Sequence, residues 1–131
     1  MIVDTSALMA ILRLEPEARR LLDAIKAADR RAISAATLVE AEIVAEARAG
    51  EQGARDLDAA LARLKIEVVS LTESHAAYAR RAFRRYGKAR GHPARLNFGD
   101  CFAYALAKAT GEPLLFKGDD FSLTDIAADS Y

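Results

Sequence analysis

The chain has 131 residues, the size of one domain rather than two, and we predict a single domain over residues 1–131. Hydrophobic residues make up 52% of the chain and charged residues 29%, a balance that excludes a disordered protein. The 19 basic and 19 acidic residues cancel, so the net charge does not indicate a partner. One cysteine excludes an intrachain disulfide and a cysteine zinc cluster. No segment resembles a signal peptide or a membrane helix, and we expect a cytoplasmic protein without membrane contact.

Short apolar runs and helical periodicities alternate along the chain. In chain order, the sequence predicts a strand at residues 1–3, helices at 5–12 and 16–28, a strand at 31–34, helices at 35–48 and 57–64, a strand at 66–71, helices at 73–86 and 98–110, and a strand at 114–116. Because the strands are apolar on both faces, we predict an α/β fold with a central parallel sheet covered by helices on both sides.

Acidic residues follow the first and the last predicted strands. Asp4 ends the first strand, and Asp119 and Asp120 come directly after the last one. These residues also have ordinary structural explanations. Asp4 could be the N-cap of the next helix, and Asp119 and Asp120 could be turn residues. The carboxyl ends of parallel strands meet at one edge, where ligands bind in such sheets, so we expect these carboxylates to lie close together.

Two further acids lie in helices near the same edge. Glu40 is partly turned toward the apolar side of its helix, although periodicity does not separate it from Glu42, and either is also explained as a solvated helix residue. Asn97 can cap the next helix and place Asp100 in its first turn, where an acid favours the helix dipole. Phe98, Cys101 and Phe102 surround Asp100, and a carboxylate among such neighbours needs a partner.

A divalent cation would relieve the repulsion among clustered carboxylates. Mg²⁺ binds oxygen ligands, using one or two carboxylates and several waters per ion. A Mg²⁺ site of this kind can align a phosphodiester and lower the pKa of an attacking water. The acidic positions therefore predict a metal site with phosphodiester chemistry.

A basic segment without acids lies between Ser74 and Gly99. Within it, residues at helical spacing form one predicted basic stripe, made of Arg81, Arg84, Arg85 and Lys88. A basic segment that leads into an acidic metal site suits a polyanion with a phosphate backbone, although a charge run is also typical of a solvated helix face or a partner interface, and the interleaved tyrosines of a core.

Four motifs together resemble a known family over nearly the whole chain. They are IVDTSAL at residues 2–8, SAATLVE at 34–40, LNFGDC at 96–101 and LLFKGDDF at 114–121. They look like the successive motifs of PIN-domain ribonucleases, and in particular of the VapC toxins of type II toxin–antitoxin systems. The resemblance implies a three-layer α/β/α sandwich, Mg²⁺ or Mn²⁺ dependence and endonucleolytic cleavage of single-stranded or loop RNA. It also implies a cognate VapB-like antitoxin and, often, a homodimer.

The resemblance also assigns roles to individual residues. Asp4 and Asp100 match direct metal ligands, and Glu40 matches an acid that holds the metal directly or through water. The family often has its fourth acid three residues before the phenylalanine, where this chain has a glycine, so Asp119 or Asp120 must serve, with Asp120 slightly favoured. Two neighbouring polar residues, Thr5 and Asn97, match groups that hydrogen-bond the carboxylates or a bound water.

Two other functions compete with the nuclease. A PIN-like module could bind RNA or protein without catalysis, but the retained acidic positions argue against it. A phosphotransfer receiver also places carboxylates at strand ends, and Lys117 could be its lysine. The first strand leads into Asp4 without a second acid, which makes the receiver the weaker alternative.

Overall fold

A parallel sheet of four short strands forms the centre of the fold in the computed structural model, which describes residues 1–131. The strands lie in the order β3-β2-β1-β4. The elements in chain order are β1 (Ile2–Val3), α1 (Thr5–Leu12), α2 (Ala18–Ala27), β2 (Ala32–Ser34), α3 (Ala35–Leu64), β3 (Glu67–Val69), α4 (Glu73–Tyr86), α5 (Asp100–Thr110) and β4 (Leu114–Leu115). All three strand pairs are parallel, as the alternation of strands and helices predicts.

Helices cover both faces of the sheet and produce two separate cores. Successive strand residues point to opposite faces, so Val3 joins the core formed with α1, α2 and α3, whereas Ile2 joins the core formed with α4 and α5. In β4, Leu115 joins the first of these cores and Leu114 joins the second. The predicted three-layer α/β/α sandwich is therefore confirmed.

The third helix differs most from its prediction. The sequence predicts two helices here, with the first ending at Gly50, whereas α3 runs from Ala35 to Leu64 with a break at that glycine. Gly50 has φ 60° and ψ −151°, a conformation that a residue with a side chain rarely adopts. Beyond the break, Gly53 approaches the backbone of Ala45 so closely that a Cβ atom would lie 2.2 Å from its carbonyl oxygen. The break folds the helix back on itself.

Most other boundaries follow the local signals. Thr72 caps α4 by accepting a hydrogen bond from the backbone N–H of His75, and Gly111 ends α5 with a positive φ. Pro16 lies before α2 rather than within its first turn, so the predicted start of that helix was wrong. The strand predicted at 66–71 is shorter and lies at the sheet edge, where Glu67 and Val68 are exposed. None of the helices has the length and apolar character needed to cross a membrane.

Candidate active site

The carboxyl ends of β1 and β4 open into a cleft of about 450 Å³ that contains most of the predicted acids. Asp4 directly follows β1, and Asp100 begins α5. Glu40 extends from the first turns of α3, and Asp120 follows β4. Four segments that are far apart in sequence therefore bring these four side chains together.

Asp4 is buried and held by its neighbour Ser6. The backbone N–H of Ser6 donates to Oδ2 of Asp4 at 2.9 Å, and the Ser6 hydroxyl donates to the same oxygen at 2.6 Å. The carboxylate is the N-cap of α1, which confirms the local interpretation of Asp4 and leaves its role as a ligand a prediction. Burial raises the pKa of Asp4, the Ser6 hydrogen bonds oppose that rise, and the charge of Glu40 adds to it.

Asp100 and Asn97 hold each other at the start of α5. The backbone N–H of Asp100 donates to Oδ1 of Asn97, and the backbone N–H of Asn97 donates to Oδ2 of Asp100, both at 2.8 Å. This reciprocal pair is a capping box. Burial, together with the charges of Asp4, Asp120 and Glu40, raises the pKa of Asp100 to about 7, against the hydrogen bond from the Asn97 backbone. The predicted contact of Asn97 with a carboxylate is present, made through its backbone N–H.

The structure distinguishes the two glutamates of α3. Glu40 is half-buried and lines the cleft, whereas Glu42 is exposed and lies outside it. The Glu40 carboxylate lies against Gly99, just before α5. Sequence periodicity leaves these two residues equivalent, and packing against the start of α5 separates them.

The two acids after β4 also have different positions. Asp120 borders the cleft, and its charge acts on Asp100, whereas Asp119 is not part of the cleft lining. Both side chains are exposed. The geometry favours Asp120 as the fourth acid. Asp119, the alternative metal ligand, does not line the cleft.

The structure adds Arg13 and Glu15 to the cleft, neither of which the sequence analysis selected, and places Lys117 beside them. Arg13 and Lys117 both contact Glu15, Arg13 at 3.8 Å. Lys117 also pairs with Glu17 at 3.2 Å, and its backbone N–H donates to the Ser6 hydroxyl. No local pattern marks Arg13 or Glu15, because the turn between α1 and α2 brings them to the cleft.

Ser6, rather than the side chain of Thr5, provides the hydroxyl that contacts Asp4. The Thr5 hydroxyl donates to the backbone oxygen of Thr37 at 3.4 Å, whereas the backbone N–H of Thr5 helps to lower the pKa of Asp4. A serine two residues beyond a helix-capping aspartate is a local signal that could have identified this contact.

The donor set of the cleft suits a hard cation that retains water. No group of three or more His, Cys, Asp or Glu side chains is arranged to hold a metal ion entirely by itself. The observed hydrogen bonds to Asp4 and Asp100 use Oδ2 in both residues, so Oδ1 of each is available as a ligand. Mg²⁺ binds through one or two carboxylates and completes its shell with water, so the residues present fit it.

The basic segment contributes to a separate groove between α4 and α5, which we call the α4–α5 groove. Its lining combines arginines with aromatic rings and contains no acid, and includes Arg80, Arg84, Arg90, Phe83, Phe98 and Phe102. Among the four predicted RNA contacts, only Arg84 lines this groove. Arg81 lies over the Tyr78 ring and Arg85 over the Tyr86 ring, at 4.6 and 4.9 Å from the ring centres. Lys88 lies beyond the end of α4, so the predicted helical stripe was wrong for this residue. Arg81, Arg84 and Arg85 lie in α4, and their contact with RNA stays a prediction.

Comparison with known proteins identifies the family of the chain. Residues 1–127 match the PIN domain family. Ribonuclease VapC of Mycolicibacterium smegmatis is 52% identical over 128 residues, covering 98% of each chain. Ribonuclease VapC30 of Mycobacterium tuberculosis is 51% identical over 127 residues, covering 97% of this chain and 96% of that protein. In fold, the chain resembles M. tuberculosis VapC20, a sarcin–ricin loop cleaving toxin, with a TM-score of 0.75 at 20% identity over 99% and 98% of the two chains.

The sheet, the two helical layers and the acidic cleft define a PIN domain, and the chain belongs to that family. Within the family it belongs with the VapC proteins, to which it is about half identical over nearly its whole length.

Proposed function

We propose that this protein is a metal-dependent endoribonuclease and the toxin of a type II toxin–antitoxin pair. The observation that carries the proposal is the convergence of Asp4 and Asp100, two buried carboxylates with raised pKa values, at one sheet edge. Burying charged groups without a partner is costly, and a cation removes that cost. Relatives named as ribonucleases support RNA as the substrate.

Each cleft residue has a distinct role in this proposal. Asp4 and Asp100 would hold Mg²⁺ (or Mn²⁺), with Glu40 and Asp120 beside them in the lining of the cleft. When bound there, such an ion would supply positive charge that lowers the pKa of a water and offsets the charge on the scissile phosphate. Ser6 and Asn97 orient the two carboxylates through the hydrogen bonds described above. The cations at the cleft margin, Arg13 and Lys117, lie where an RNA backbone would approach.

The α4–α5 groove supports an unpaired RNA segment as the substrate. Phe98 is 76% exposed and packs edge-on against Phe102, so one ring face is available to a base. Unpaired bases stack on aromatic side chains, while arginines neutralise the phosphates. Phe98 in the groove and Asp100 in the cleft are two residues apart in the chain, so we expect RNA bound along the groove to continue toward the cleft. An RNA substrate also agrees with a cytoplasmic location.

Two arginine variants test this placement of the RNA. Neutralising Arg80, Arg84 and Arg90 should flatten the dependence of log affinity on log salt, by about 0.7 for each phosphate that the variant no longer neutralises. Neutralising Arg81 and Arg85 provides the matched control, since these side chains lie over tyrosine rings outside the groove. Affinity is measured in an Asp100→Asn background that preserves the substrate. Equal slopes for wild type and the groove variant would exclude the groove.

A VapB-like antitoxin is the proposed partner. Two solved complexes contain a chain of similar fold. One is VapBC2 from Rickettsia felis, with a TM-score of 0.73 at 18% identity over 98% of this chain and 96% of that one. The other is a toxin–antitoxin complex from Klebsiella pneumoniae. We also propose a homodimer, as the family resemblance implies. A small reading frame beside the gene should encode the antitoxin, and co-expression should suppress cleavage.

Cleavage of single-stranded RNA tests the proposed activity. Wild-type protein should cleave with Mg²⁺ and lose activity in EDTA, and Asp4→Asn should be inactive while its circular dichroism spectrum is retained. The exposed Glu42→Gln is the control and should cleave normally. A folded wild type that binds RNA without cleaving it would favour the non-catalytic module. Wild-type rates in Asp4→Asn would exclude the metal-site mechanism.

A further inference from the structure

The Glu40 carboxylate lies where a side chain at residue 99 would be. An ideal Cβ atom at Gly99 would lie 1.4 Å from Oε2 of Glu40 and 2.4 Å from Cδ. These distances are far below any non-bonded contact, so the carboxylate occupies the space that a side chain at residue 99 would fill. Among the glycines of the chain, this is the one whose missing side chain is replaced by a carboxylate of the cleft.

The backbone at this position does not itself require glycine. Gly99 has φ −64° and ψ −42°, the ordinary helical conformation that every L-amino acid adopts. Gly99 directly precedes the first residue of α5, and alanine could adopt its backbone conformation without strain, so no dihedral angle explains the glycine. Its benefit must therefore come from space, and the group that uses the space is Glu40.

We propose that Gly99 is a positioning residue for Glu40, whose carboxylate reaches the acidic cleft only because residue 99 has no side chain. This inference rests on the proposed function for the consequence in catalysis, but its steric basis is independent of that function. Glu40 extends from α3, and Gly99 directly precedes Asp100, so the missing Cβ lets the acid of one helix lie against the start of the other.

Alanine at residue 99 should move the carboxylate rather than unfold the chain. The atoms in conflict belong to the far end of a flexible side chain, which can rotate away toward solvent. Displacing a catalytic group by about 1 Å can reduce the rate by about 100-fold. Loss of a group that tunes a metal site typically weakens metal affinity by about 10- to 100-fold.

A double-mutant cycle isolates this contact. Gly99→Ala, Glu40→Ala and the double variant are compared in cleavage of single-stranded RNA and in calorimetric titration with Mg²⁺ or Mn²⁺. Gly99→Ala should lower kcat about 100-fold in the chain that retains Glu40, and should have no further effect in the Glu40→Ala chain. Metal affinity should follow the same pattern, which provides a readout even where cleavage falls below detection.

Stability measurements separate positioning from folding. Gly99→Ala should unfold in EDTA at about the same denaturant concentration as wild type, because alanine adopts the backbone conformation of Gly99 without strain. Gly53→Ala is the matched control: its Cβ would meet the carbonyl oxygen of Ala45, a backbone atom, so it should lose stability instead.

Three results would overturn the inference: wild-type rate and metal affinity in Gly99→Ala, equal losses in both backgrounds of the cycle, or unfolding of Gly99→Ala. A wild-type protein that does not cleave RNA would refute the proposed function separately, and the metal titrations would still decide the position of Glu40.

Discussion

Replacing Asp100 with asparagine should stabilise the metal-free protein at neutral pH. The side chain is 8% exposed, and burial together with the charges of Asp4, Asp120 and Glu40 raises its pKa to about 7 from the ordinary 3.8. Asparagine has nearly the same shape, and its oxygen can accept the hydrogen bond that the Asn97 backbone donates to Oδ2. The substitution therefore removes the charge and preserves the capping contact.

The direction of this change in stability follows from how many protons the folded and the unfolded chains bind. Below pH 3.8 the carboxyl is protonated in both the folded and unfolded chains, so it has no effect on their balance. Between 3.8 and about 7 the folded chain retains the proton and the unfolded chain releases it, so the free energy of unfolding falls as pH rises. At about 1.4 kcal/mol per pH unit, the full window corresponds to about 4 kcal/mol. Since Asp100 is coupled to three other acids, we expect Asp100→Asn to raise the free energy of unfolding by on the order of 2–4 kcal/mol at pH 8.

Urea unfolding from pH 3.5 to 8 in EDTA measures this difference. The wild type should lose stability across the window relative to Asp100→Asn, with the two curves meeting at the acid end. The exposed Asp58→Asn is the control and should follow the wild type. Added Mg²⁺ should reduce the difference, because a bound cation stabilises the ionised carboxylate. Parallel curves for wild type and Asp100→Asn would refute the reasoning.

Three further predictions concern single residues. Asp120→Ala should reduce RNA cleavage more than Asp119→Ala, since only the former borders the cleft, and equal rates would contradict this. Ser6→Ala removes the 2.6 Å bond to the cleft carboxylate, so it should weaken metal affinity by about 10- to 100-fold in calorimetry. Unchanged affinity would show that the backbone N–H alone orients the carboxylate. Gly53→Ala should lower the free energy of unfolding by about 1–3 kcal/mol through overpacking against Ala45, and urea midpoints equal to wild type would refute it.

Local patterns in the sequence determined the secondary structure and one half of the site. Apolar periodicity and short-range signals such as Thr72 before α4 act within a few residues, so they can be recognised without the fold. Asp4 and Asp100 were selected for the same reason, since one directly follows a strand and the other belongs to a capping box. The parallel order of the strands then predicted a common edge.

Tertiary structure decided which neighbouring residues share the cleft. Periodicity leaves Glu40 and Glu42 equivalent, and adjacency does the same for Asp119 and Asp120. The family resemblance favours Glu40 and Asp120, and packing between distant elements is what brings these two into the cleft. Arg13 was missed for the same reason. Long-range contacts depend on how helices pack across the sheet, and no spacing within a single segment encodes them. The role of Gly99 also depends on the packing of α3 against the start of α5. Only that packing shows that the Glu40 carboxylate occupies the space of a side chain at residue 99.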